Sequence, residues 1–122
     1  MKRFMIIAAL VLAALAFNSC EEDRWGYDNK VVFSADGGHE DVEGDDSVYT
    51  LSIGDKNGNE KTAIDALGVM TVTYDWLTAT AVKGENEIHL VAAPNKTGKQ
   101  RKLYVYGMIR NNVMDITVIQ NK

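Results

Sequence analysis

The chain predicts an all-β fold, an antiparallel β-sandwich of about seven short strands, on three observations. From residue 30 onward, apolar and polar residues alternate with a period of two in one run after another. Gly-, Asn- and Asp-rich turn signals divide the runs. Only the stretch 62–67 has spacing that suggests a helix, and it is long enough for one turn. Short strands at this density pack as two sheets, not as a helical or α/β fold. The alternation implies one buried and one wet face on each sheet.

Each element has its own signal. Val31-Val32-Phe33 is β-rich and stops at Asp36-Gly37-Gly38. From Val48 to Ile53, Tyr49, Leu51 and Ile53 fall on one side, Thr50 and Ser52 on the other. Asp55-Lys56-Asn57-Gly58-Asn59 follows as a polar turn. From Val69 to Trp76, Met70, Val72, Tyr74 and Trp76 oppose Thr71, Thr73 and Asp75. Leu77–Val82 is a further strand, broken by Lys83-Gly84-Glu85-Asn86. Ile88, Leu90 and Ala92 then alternate with Glu87, His89 and Val91 before Pro94. Leu103–Met108 and Val113–Ile119 form a last pair around Arg110-Asn111-Asn112. The inward sets put Phe33, Trp76, Leu90, Val105 and Val118 in the core.

The first twenty residues form a separate unit. Lys2-Arg3 precede fourteen apolar residues, Phe4 to Phe17, and Asn18-Ser19-Cys20 closes the segment. A basic start, a short apolar run and small residues make a secretory signal. The run falls short of the roughly 20 residues a membrane-spanning helix needs. Cys20 is the only cysteine, so it has no internal disulfide partner. The segment resembles a bacterial lipoprotein signal, which implies that Cys20 becomes the lipidated N-terminus. Lipid chains each contribute about 0.8 kcal/mol per buried CH₂, and more than one is needed for stable anchoring. Glu21-Glu22-Asp23 resembles the export signal that sends lipoproteins of Bacteroidetes-type bacteria to the outer face of the outer membrane. Expected organisation is therefore signal peptide 1–19, lipidated tether 20–29 and one domain 30–122. Localisation follows as the outer membrane, lipid-anchored and displayed at the cell surface, with the periplasmic face as the alternative.

Without residues 1–19 the chain has 103 residues, eleven basic and seventeen acidic, a side-chain charge of −6. That balance repels nucleic acid and anionic lipid head groups. A domain of this size buries roughly 60–68% of its unfolded surface, enough for a core without disulfides.

Four blocks resemble the BACON domain, the Bacteroidetes-associated carbohydrate-binding, often N-terminal module. They are Val32-Phe33-Ser34-Ala35-Asp36-Gly37-Gly38, Asp75-Trp76-Leu77-Thr78, Asn95-Lys96-Thr97-Gly98-Lys99-Gln100-Arg101 and Ile116-Thr117-Val118-Ile119-Gln120. They occur in the family's order and are spread over residues 32–120. The resemblance implies an immunoglobulin-like antiparallel sandwich on an extracellular or periplasmic protein. It also implies binding of carbohydrate or mucin, or spacing of an attached module from the membrane. Residues 54–67 differ from the family's second hairpin, and no second domain follows the resembling segment before Lys122.

Among candidate site residues, Tyr104 and Tyr106 are the foremost pair. With Leu103 and Val105 inward, both tyrosines face out, roughly 6.5–7 Å apart, as a stacking platform for sugar rings. Trp25 and Tyr27 fall in the tether and either cap the sandwich or stay loose. Arg101 is expected to hydrogen-bond a turn at the mouth of its strand. Residues 55–60 suggest a calcium loop, but Gly58 is fourth where an EF-hand needs Gly sixth. The carboxylates Glu40, Asp41, Glu43, Asp45 and Asp46 read as a solvated hairpin end, so no metal site and no cofactor are expected. Asp46-Ser47-Val48 matches an Asp-Ser/Thr-aliphatic O-glycosylation pattern, and Asn95-Lys96-Thr97 is a formal sequon better explained as a turn. His39 and His89 stand near no recognisable Ser or Cys nucleophile, and no catalytic residues are assigned. The expected function is a non-catalytic surface lipoprotein that binds glycan or mucin. The alternative is a structural or protein-interaction subunit joining neighbouring surface proteins.

Overall fold

The computed structural model describes residues 25–122, so Cys20 and Glu21-Glu22-Asp23 lie outside the described residues. Ten strands form two five-stranded sheets: β1 Lys30–Phe33, β2 Gly38–Glu43, β3 Thr50–Gly54, β4 Glu60–Thr62, β5 Ile64–Ala66, β6 Val69–Tyr74, β7 Leu77–Val82, β8 Glu87–Ala92, β9 Arg101–Ile109 and β10 Asn112–Gln120. One sheet has the order β1-β10-β9-β3-β4, the other β2-β8-β7-β6-β5. All pairings are antiparallel except β1 with β10, which runs parallel with Val31 opposite Val118. The fold is an all-β sandwich.

The inward faces supply the core that the alternation predicts. Leu51, Ile53, Leu77, Ile88, Leu90, Val105, Ile109, Met114, Ile116 and Val118 are almost wholly buried between the sheets. Phe33 and Trp76 join the same cluster. At about 25 cal/mol per Å² of apolar surface, each large aliphatic residue here contributes roughly 1.5–3 kcal/mol before entropy is counted.

The strand count exceeds the expected seven because three strands carry almost no apolar signal. β2 buries only Val42, since it is an edge strand rich in charge, a composition that blocks pairing with another chain. β4 and β5 have three exposed residues each; β5 lies within the stretch 62–67 whose spacing suggests a helical turn, and β4 ends at its first residue. Tertiary pairing with β3 and β6 overrides that local preference. A second difference lies ahead of β3. Tyr49 is half exposed, its hydroxyl donating to the Arg110 carbonyl (2.7 Å), and Val48 takes the inward place instead. The strand bends before Thr50, shifting the alternation by one residue. Val48 packs where Gly107 has no side chain: a Cβ there would lie 2.8 Å from Val48 Cγ1.

Trp25 and Tyr27 cap one end of the sandwich. Tyr27 is buried and donates its hydroxyl to the Asp46 carbonyl (2.7 Å). Burial, with Asp46 and Asp45 nearby, pushes the phenol up to about 12. Trp25 packs against the core with the Arg110 guanidinium 5.3 Å from its ring centre. The chain crosses from one sheet to the other at Ser34–Gly37. Gly37 has φ 83° and sits so near the Ala92 carbonyl that no side chain fits.

Candidate functional site

The outer face of the β1-β10-β9-β3-β4 sheet carries the tyrosine pair. Leu103 and Val105 point into the core, so Tyr104 and Tyr106 stand outward on β9. Their ring centres are 6.5 Å apart and the planes tilt by 30°. Cross-strand register sets their neighbours. Tyr106 lies between Ser52 and Asp115, Tyr104 between Gly54 and Thr117. The absent side chain at Gly54 lets the Tyr106 ring lean over β3: a Cβ would come 3.2 Å from its Cε2. Burial, then Asp115 and Glu60, raise the Tyr106 phenol above its ordinary value.

Each tyrosine borders a cavity. The first, about 400 Å³, lies beside Tyr106 over Ser52 and Gly54, with Glu60 and Met108 on its walls. Within it Ser52 Oγ donates to Glu60 Oε2 (2.7 Å), so an aromatic ring, a hydroxyl and a carboxylate converge. Such a set suits a polyhydroxylated ligand, whose ring faces are apolar and whose hydroxyls need donors and acceptors. The second cavity, about 850 Å³, lies at the end of the sandwich where Tyr104 meets Trp76, Arg101 and several lysines.

One turn shapes both cavities. Asp55 lines each of them and accepts hydrogen bonds from the backbone N–H of Asn57 and Asn59, from Asn59 Nδ2 and from the Tyr74 hydroxyl (2.8 Å). The last bond ties the β3–β4 turn to the opposite sheet. These donors, Asn59 first and then Tyr74, hold the Asp55 carboxyl below the usual carboxylate range. Its oxygens are committed to the turn, which explains why the segment looks like a calcium loop without matching its template.

The other singled-out residues have structural partners. Trp76 is buried in the β6–β7 turn, where Asp75 adopts φ 56°, and the Arg101 guanidinium lies 4.9 Å from its ring centre. Arg101 donates to the Pro94 carbonyl (3.1 Å) and to Gln120 Oε1 (2.9 Å), which makes it a latch on the β8–β9 loop. Asn95 is buried, donating to the Lys99 and Asn121 carbonyls and accepting from Thr97. The sequon side chain is therefore spent on its own loop and on the chain just after β10.

On the outer face of the second sheet, β2 and β8 set Asp41 beside His89. His89 Nδ1–H donates to Asp41 Oδ1 (2.7 Å), as a carboxylate acceptor requires, and Nε2 lies 3.6 Å from Glu87 Oε1. The bond to Asp41 holds the imidazole above its ordinary value. The ligating atoms of these three residues lie within 4.8 Å of one another on an exposed face, so they are the described group that could offer ligands to a cation.

Sequence reasoning missed Ser52, Glu60 and the cluster of lysines near Tyr104. Ser52, Lys56, Glu60 and Lys61 belong to the β3–β4 hairpin, and Lys99 and Lys102 to the β8–β9 loop and the start of β9. No local pattern reports that turns 55–59, 75–76 and 93–100 share one end of the sandwich.

No protein-family model and no curated protein sequence matches this chain. Among solved structures, the fold is similar to a Bacteroides thetaiotaomicron protein determined by NMR, with TM-score 0.57, 13% identity, and coverage of 81% of this chain and 85% of that one. It is also similar to part of a Bacteroides ovatus GH5 xyloglucanase solved with a XXXG heptasaccharide. There the TM-score is 0.51 at 16% identity, over 76% of this chain and 17% of the enzyme. Both neighbours come from Bacteroides, and at these identities the likeness is one of fold.

Proposed function

We propose that this chain is a non-catalytic, lipid-anchored surface protein that binds glycan on its Tyr104/Tyr106 face. The observation that carries the reading is the outward tyrosine pair beside a cavity where Ser52 and Glu60 present polar groups. Sugars bind proteins by stacking a C–H face on an aromatic ring while hydroxyls pair with carboxylates and hydroxyls, and this face offers both. The four sequence blocks that resemble the BACON domain support the same reading. So does the occurrence of a segment of this fold in a chain named as a xyloglucanase and solved with a heptasaccharide. Anchoring rests on the signal-like residues 1–19 and on Cys20.

The test is a glycan array probed with the purified full-length protein and with a Tyr104→Ala/Tyr106→Ala variant. Losing both rings is expected to weaken binding at least about tenfold, the equivalent of roughly 1.4 kcal/mol. An array on which no glycan binds, or on which both forms bind alike, would overturn the reading. A second reading, a protein-interaction subunit, draws on the edge strand β5, where Ile64 and the adjoining Leu67 are strongly exposed. An added strand from a neighbouring surface protein would cover them. Photo-crosslinking from position 64 on intact cells is expected to yield one discrete adduct under that reading and none without it.

A further inference from the structure

The cavity beside Tyr104 is basic, although the chain is acidic. Lys56, Lys61, Lys99, Arg101 and Lys102 line it. They are five of the ten lysines and arginines between residues 25 and 122, a span that holds fourteen carboxylates. Only Asp55 and Asp75 among those carboxylates share the lining. Asp55 is already committed to four donors. Among the described residues, no ion pair engages Lys56, Lys61, Lys99 or Lys102. The opposite end of the sandwich has the reverse sign: Glu43, Asp45, Asp46, Glu85 and Glu87 gather around the loops there. Charges of one sign that converge in a cleft focus their field into it and raise the local concentration of counter-ions.

We infer that this cleft receives the acidic groups, sulfate ester or uronic carboxylate, of an anionic oligosaccharide whose rings lie along Tyr104 and Tyr106. The inference rests on the glycan reading above and narrows it to a charge class. Tyr104 borders the basic cleft, and Tyr106, 6.5 Å away, borders the neighbouring polar cavity. One ligand can therefore meet aromatic faces and cations together. The cleft volume, about 850 Å³, lies within the roughly 300–1,000 Å³ common to small-ligand sites. A long polyanion such as nucleic acid would run out of the cleft into the field of an acidic protein, whereas a short acidic saccharide stays inside it.

Calorimetry on the full-length protein tests the idea with four probes: isomaltohexaose, its sulfated form, hexagalacturonate and inorganic sulfate. At least one acidic hexasaccharide is expected to bind tenfold or more tightly than the neutral one, and to lose most of that advantage between 20 and 500 mM NaCl, where screening shortens the reach of charge to a few ångströms. Which of the two binds distinguishes sulfate from carboxylate. A Lys56→Gln/Lys102→Gln variant is expected to lose about tenfold for the acidic saccharide and to keep its affinity for neutral glycan. Equal binding of neutral and acidic hexasaccharides would overturn this inference and leave the glycan reading standing. An acidic saccharide bound equally by the lysine variant would overturn the assignment to this cleft. Inorganic sulfate competing as strongly as the sulfated hexasaccharide would reduce the site to simple anion binding, and no hexasaccharide bound at all would count against both proposals.

Discussion

At Gln120 a single buried amide makes three hydrogen bonds, donating to the Ser34 and Ala93 carbonyls and accepting from Arg101 Nε. It ties the end of β1 to the end of β8, across the two sheets. Gln120→Leu keeps the volume and removes all three bonds; the Ser34 carbonyl retains the Gly37 N–H, while the Ala93 carbonyl and Arg101 Nε lose this partner. Because buried unsatisfied groups cost about 1–3 kcal/mol each, the variant is expected to be about 2–4 kcal/mol less stable, read as a lower urea midpoint at unchanged slope. The terminal Gln was legible in the sequence as a motif residue, but its partners were not, since they lie 86 and 27 positions away. His89 yields a prediction in pH. Its pairing with Asp41 raises the folded-state value above 6.5. The bond therefore contributes stability fully below pH 6.5, and this contribution is lost as pH rises through the higher folded value. An NMR titration of His89 is expected to show a midpoint above 6.5 that falls in Asp41→Asn.

The elements that sequence patterning reaches best are those with one wet and one dry face. β7, β8, β9 and β10 alternate cleanly between buried and partly exposed positions, and their extents were legible to within a few residues. β2, β4 and β5 escape because Val42 is the one residue they bury among them, which leaves no apolar alternation to read. The pairing of β3 with β9 depends on Gly107, over which Val48 packs. A methyl group at position 107 has to displace a stiff β-branched side chain, so Gly107→Ala is expected to cost about 1–3 kcal/mol by thermal or denaturant melting. The β3–β4 turn depends on Asp55 in the same way. Its carboxyl is held low by Asn59 and Tyr74, so its contribution is present above the ordinary value of 3.8 and is lost as pH falls through the lower folded value. Asp55→Ala is expected to unfold at lower denaturant than the parent at pH 7 and to show a smaller loss of stability on acidification. The same change loosens the wall shared by both cavities.

Over the whole molecule, charge is sorted along the strand axis. β9 runs nine residues, roughly 26 Å, from the basic end near Tyr104 to the acidic end near Asp46. Trp25 and Tyr27 bring the chain in at the acidic end. An anchor upstream of residue 25 would therefore hold that end toward the membrane and turn the lysine cleft outward. If the protein is displayed at the cell surface, Lys99→Cys on intact cells is expected to react with a membrane-impermeant maleimide, and absence of labelling would place it on the periplasmic side. By itself the sequence determined the all-β class, the inward sets with Phe33, Trp76, Leu90, Val105 and Val118 among them, and the outward step of Tyr104 and Tyr106. These follow from period-two alternation, a property of neighbouring residues. Only the tertiary structure decided the parallel β1–β10 pairing, the joining of Ser52 and Glu60 to Tyr106, and the meeting of five cations in one cleft. Such features depend on which loops share an end of the sandwich, and a hydrogen-bonded ladder can join residues with no local pattern in common.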